Sequence, residues 1–149
     1  MTSDPLAPSS GATIAKLVAT RALSAVLDIS EFTGAELHRF VADFATELLH
    51  AKKRARSPLM VVLEEAQEMV PQHVRSDVAR MVGAVEKLVK LGRNFGVGTA
   101  LISQRPQAVN KDVLNQTEAM LCFQCHRPSG AKGHRELGAG EGGRRQGGG

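Results

Sequence analysis

The stretch LMVVLEEAQEMVPQ, residues 59 to 72, runs five apolar residues directly into two adjacent glutamates, Glu64 and Glu65. An uninterrupted apolar run of this length, opened by Ser57-Pro58, predicts a strand over Leu59 to Leu63. Strands that read as continuous apolar runs suit a parallel sheet, whose ligand chemistry gathers at the carboxyl ends of its strands. The two acids stand at such an end. Neighbouring carboxylates repel one another, so the pair calls for a cation or a proton-transfer role. The plainer reading is a strand end followed by an acidic first helical turn, where the helix dipole favours glutamate.

Working outward, the flanking sequence alternates strand and helix signals. Upstream, ALSAVLDI (residues 22 to 29) predicts a short buried strand ended by Ser30 and the FTG turn. Leu37, Phe40, Val41, Phe44 and Leu48 then recur at helical spacing, which predicts an amphipathic helix from Ala35 to about His50. Its basic end, KKRAR (52 to 56), reads first as cations on a solvated face at a helix C-terminus and only second as a DNA contact. Downstream, Val78, Met81, Val82, Val85, Leu88 and Val89 form one stripe of a helix from about Ser76 to Leu91, stopped by Gly92. VGTALIS (97 to 103) predicts a third strand, broken by QRP; a helical turn around Lys111 to Asn115 leads to a fourth, AMLCF (119 to 123). The alternation predicts an α/β fold with a parallel sheet covered by helices on both faces.

Length and composition bound what such a fold can do. A chain of 149 residues, 42% hydrophobic, holds one domain, and with 3% aromatics, all Phe, its core rests on Val, Leu, Ala and Met. Residues 1 to 124 carry 14 Lys/Arg against 13 Asp/Glu, so most of the net charge of +4 lies in the last 25 residues and says little about nucleic acid. No apolar run approaches a membrane span and the first thirty residues hold no signal-peptide core, so the expected location is cytoplasmic, with no membrane partner. Residues 1 to 11 read as a flexible leader. Residues 125 to 149, with nine of the fifteen glycines between Gly130 and Gly149, read as a disordered Gly/Arg-rich tail. CFQCH (122 to 126) matches a haem attachment pattern, but without an export signal, and a zinc site adding His134 lacks a well-spaced second ligand pair.

VVLEEAQEMVPQ, LGRNFGVG and ALISQ together resemble the HerA/FtsK group of P-loop ATPases, hexameric DNA pumps and HerA-type helicases. The resemblance implies a partial RecA-like, P-loop NTPase core over residues 12 to 124. It assigns Glu64 to Mg²⁺ and makes Glu65 the catalytic base. Gln104 becomes the nucleotide-sensing amide, and Arg93 the arginine that reaches a neighbouring subunit's site. These residue types suit those tasks: a guanidinium stays charged against a γ-phosphate, and an amide hydrogen-bonds water without titrating. The implied cofactors are ATP and Mg²⁺, and the implied partners are DNA, further copies in a hexameric ring and a nuclease.

The resemblance also has a gap, since no GxxxxGK[ST] occurs in the sequence; SSGATIAK (9 to 16) has neither its spacing nor its hydroxyl. The expectation is therefore an ATPase core without its first strand and phosphate loop, leaving an apolar slot and inactive alone. The alternatives are a noncatalytic interaction module derived from such an ATPase and a conjugation or packaging motor. The abrupt change after Gln124 suggests a slipped reading frame: codons for residues 126 to 141, read one nucleotide later, can encode a helix-forming string resembling the segment after the last core strand of HerA-type proteins.

Overall fold

The computed structural model describes residues 6–21 and 23–121. Ala22, the CFQCH motif, the tail and the proposed frame slip lie outside the described residues. The first element among the described residues is α1 (Gly11–Arg21), a helix not anticipated from the sequence, followed by α2 (Gly34–Arg54). β1 (Leu59–Leu63), the short α3 (Ala66–Met69) and α4 (Ala79–Gly92) come next. After a 3₁₀ turn at Arg93–Phe95 come β2 (Val97–Leu101), a second 3₁₀ turn at Pro106–Ala108 and the short α5 (Lys111–Leu114).

α2 starts where local chemistry demands. Thr33 accepts a hydrogen bond from the Glu36 amide, and the Glu36 carboxylate accepts from the Thr33 amide and hydroxyl, a reciprocal cap. Those hydrogen bonds, the hydroxyl's first, hold the Glu36 carboxyl below its ordinary range. The stripe then buries Phe40, Val41 and Leu48, with Phe40 edge-on to Phe32 and stacked on Phe44. Against it α1 packs through small residues, Gly11, Ala15 and Ala19. The approach is close: a Cβ on Gly11 would sit 2.6 Å from the Phe40 carbonyl oxygen.

α4 lies beside α2 and runs in the same direction. Asp43 pairs with Arg80 near the start of α4, and Lys53 at the end of α2 lies over Phe95 just beyond α4. Met81, Val82, Val85 and Leu88 close the core between them. α4 starts at Ala79, after a turn at 76–78, rather than at Ser76, and no side chain caps it.

β1 and β2 pair in parallel, from Leu59 opposite Val97 to Leu63 opposite Leu101. Gly96, at φ +84, makes the turn into β2, and a Cβ there would sit 2.9 Å from the Ser57 carbonyl oxygen, a conformation and an approach suited to glycine. Among the described residues the sheet has two strands, so the fold is α/β with a small parallel pair and helices packed against it. One face of β1 is half-buried against the helices; the other leaves Met60 and Val62 exposed, as is Ile102 just past β2. The expectation of helices on both faces is not met by the described residues, because nothing among them covers that second face.

Three further expectations are corrected. Leu23–Ile29 is not a strand: no strand among the described residues pairs with it, Val26 is fully exposed, and Asp28 instead takes a local turn bond from the Ser30 amide. Residues 119–121 are likewise outside any strand, and Met120 and Leu121 are exposed; Cys122 and Phe123 lie outside the described residues. In KKRAR, Lys52 is 1% exposed rather than solvated, because the chain folds back after α2 and Lys52 Nζ donates to the Ser57 carbonyl and hydroxyl. Burial pushes the Lys52 ammonium down from its ordinary pKa.

Candidate functional site

The candidate site is the rim where β1 and β2 end. The ladder continues one step past the strands: the Ile102 amide donates to the Leu63 carbonyl, and the Ala66 amide to the Ile102 carbonyl. Glu64 and Glu65 are thereby held in a tight turn, and both are exposed. Glu65 adopts φ 50 and ψ 47, the left-handed conformation, and is the one non-glycine residue at positive φ among the described residues. A non-glycine residue in this region carries about 1–2 kcal/mol of strain. Strain of this kind concentrates at functional sites.

Glu65 is also the hub of a side-chain network. One carboxylate oxygen accepts from Gln67 Nε2 at 2.6 Å and the other from Gln104 Nε2 at 3.3 Å. Ser103 Oγ donates to Gln67 Oε1 at 2.5 Å and accepts from the Arg105 amide at 3.0 Å. The second acid after β1 and the amide after β2 therefore meet across the strand ends. Beside them, Gln67, Glu68, Gln72, His73, Arg105 and Gln107 line an open cleft of about 470 Å³. Gln67 and Ser103 were missed in the sequence, although each is close to a residue that was singled out.

Arg93 does not join this rim. It precedes β2, at the opposite end of the strand pair, and a five-residue strand at about 3.3 Å per residue puts roughly 15 Å between the two ends. Its guanidinium is exposed and pairs with Glu118 at 2.9 Å. Four side chains converging at one edge within the chain is thus not the arrangement found; three are at the rim and Arg93 faces away.

Among the described residues no group of three or more His, Cys, Asp or Glu is placed to hold a metal. One carboxylate at a strand end fits Mg²⁺, which keeps waters and takes its other ligands from phosphate oxygens. The donor set fits that ion arriving with a nucleotide and not a free-standing metal site. No helix among the described residues is long and apolar enough to cross a membrane.

The fold and rim define a class: a mixed α/β protein with a carboxylate and an amide joined across the ends of a parallel strand pair. In sequence, the chain is related to HerA-type DNA repair helicases. It is 35% identical over 71 residues, 48% of the chain, to the DNA double-strand break repair helicase HerA of Pyrococcus furiosus. It is 32% identical over 80 residues, 54% of the chain, to a Methanocaldococcus jannaschii protein named as a probable helicase of the same kind. It is 24% identical over 115 residues, 72% of the chain, to the HerA helicase of Sulfurisphaera tokodaii. These matches span 12%, 15% and 23% of the respective relatives' lengths. No protein-family model matches the chain.

Proposed function

We propose that residues 59–104 supply the Walker B and sensor side of an ATP-hydrolysing site of the HerA/FtsK, RecA-like P-loop type, in a ring that moves or unwinds DNA. The observation that carries this reading is the Gln104–Glu65 contact across the ends of two parallel strands, with Glu65 held in a strained turn. In this reading Glu65 accepts the proton of the attacking water and Gln104 orients that water. Glu64 supplies a carboxylate to Mg²⁺, which when bound offsets charge on the phosphate oxygens. The assignment of Arg93 to an adjacent subunit's site rests on the family resemblance alone, since Arg93 lies at the far end of the strands and pairs with Glu118. Support for DNA, a hexameric ring and a nuclease partner comes from the family resemblance; three relatives are named as DNA double-strand break repair helicases.

The 149 residues contain no GxxxxGK[ST] loop to cradle phosphates, so the purified chain alone is expected to release no phosphate from ATP. Mixing it with an intact HerA-type relative whose own catalytic glutamate is replaced by glutamine tests the assignment. Wild-type chain should restore turnover, and Glu65→Gln or Gln104→Leu chain should not. Equal restoration by Glu65→Gln, or steady release by the chain alone, overturns it. A second reading, a noncatalytic module that docks on an intact ATPase, is favoured by the exposed Met60, Val62 and Ile102 face. It predicts binding to the relative with no change in nucleotide affinity.

A further inference from the structure

At the pole opposite the acidic rim, the parallel course of α2 and α4 brings two helix C-termini together. Lys53 and Arg54 belong to the last turn of α2 and Arg56 follows it; Lys90 is in the last turn of α4, and Arg93 opens the 3₁₀ turn. All five are exposed. Lys53 Nζ lies 5.8 Å and Arg56 Cζ 5.5 Å from the centroid of the same Phe95 ring, which ties the end of α2 to the turn after α4. Arg93 is neutralised by Glu118. Lys53, Arg54, Arg56 and Lys90 make no ion pair among the described residues.

Cations at helix ends have an ordinary use, to offset the dipole. Two helix ends account for about one negative charge together, roughly half a charge each. Four unpaired cations exceed that by about three. A surplus confined to one pole, in a chain whose first 124 residues are nearly neutral, is a directed field rather than general basicity.

We propose that this pole, Lys53, Arg54, Arg56 and Lys90, is a binding surface for the phosphate backbone of double-stranded nucleic acid. The choice of polyanion rests on the DNA-linked function proposed above; the site itself rests on the geometry. Phe95 is half-buried beneath Lys53 and Arg56, so its ring is not free to stack on an unpaired base or to insert into a lipid surface. What the pole offers is concentrated cationic charge without an exposed apolar wedge, chemistry suited to contact with a phosphate backbone. Each cation–phosphate contact contributes about 0.9 to the slope of log K against log salt.

The test is fluorescence anisotropy with a labelled 20-base-pair duplex and the full chain between 50 and 200 mM salt, without nucleotide, so its result does not depend on whether the ATPase assignment holds. Replacing Lys53, Arg54 and Arg56 together by glutamine should lower the salt slope by about 2.7, at 0.9 per cation. The same variant should weaken binding about 3000-fold at 50 mM, since each contact contributes about fifteenfold there. Arg54→Gln alone, which removes neither cation over Phe95, should lower the slope by about 0.9 and guards against misfolding of the triple variant. Unchanged slopes in both folded variants overturn the proposal. So does a variant that keeps duplex affinity while losing adsorption to phosphatidylserine vesicles, which would make the pole a membrane-surface site.

Discussion

Replacing Glu65 by glycine should make the protein more stable than replacing it by alanine, an inversion of the usual order. Both substitutions remove the carboxylate and with it the bonds from Gln67 and Gln104, so those losses cancel in the comparison. What remains is the backbone at φ 50. Alanine keeps about 1–2 kcal/mol of left-handed strain, which glycine does not feel. Glycine in turn loses about 0.5–1 kcal/mol more conformational freedom on folding. The balance favours glycine by about 0.5–1 kcal/mol. With a urea dependence of about 1.5 kcal/mol/M, this corresponds to a midpoint higher by about 0.5 M. Paired urea titrations followed by far-UV circular dichroism would read it, with Glu65→Asn expected between the two because asparagine tolerates the left-handed region. A Glu65→Ala midpoint equal to or above that of Glu65→Gly would refute the claim that this turn holds strain.

Three other perturbations test the packing. Gly11→Ala should destabilise the protein by about 1–3 kcal/mol in the same titration, because the new methyl meets the Phe40 carbonyl at 2.6 Å and the Phe44 amide nitrogen at 3.2 Å, neither of which can rotate away. Lys52 should make stability rise with pH in the alkaline range. Its folded-state pKa is lowered by burial, so between that value and the ordinary lysine range the unfolded chain binds more protons than the folded one. Wild type measured against Lys52→Met from pH 7 to 10.5 should therefore gain stability steadily, and a flat difference would contradict the burial of the ammonium. Val62→Lys on the exposed sheet face should raise solubility and shift light-scattering profiles toward smaller species, with little change in the urea midpoint.

The elements that the sequence announced share one property: their signal is carried by residues that also do the burying. The stripe from Leu37 to Leu48 is the face of α2 that meets the core, and Leu59 to Leu63 is a strand because its partner, β2, is present. Leu23 to Ile29 has the same apolar character and no partner among the described residues, so β-propensity there had nothing to pair with. α1 escaped notice because it packs through Gly11, Ala15 and Ala19, residues too small to mark a stripe. At the rim, Glu65 and Gln104 could be named from motif position, whereas Gln67 and Ser103 matter only through a turn geometry that no spacing reveals. Lys52 was hidden for a similar reason, since its burial comes from the chain doubling back to Ser57.

The two groups that define the rim are 39 residues apart in sequence and meet only when β1 and β2 are in register. Helices can form from local contacts, but this contact waits on closing the whole intervening loop around α4. On gentle heating the acid and amide should separate while most of the helical content survives, so ellipticity would keep reporting a folded protein after its chemistry had gone. An intact spectrum is therefore weak evidence of a competent rim, and amide exchange at Ala66 and Ile102 is the more telling gauge.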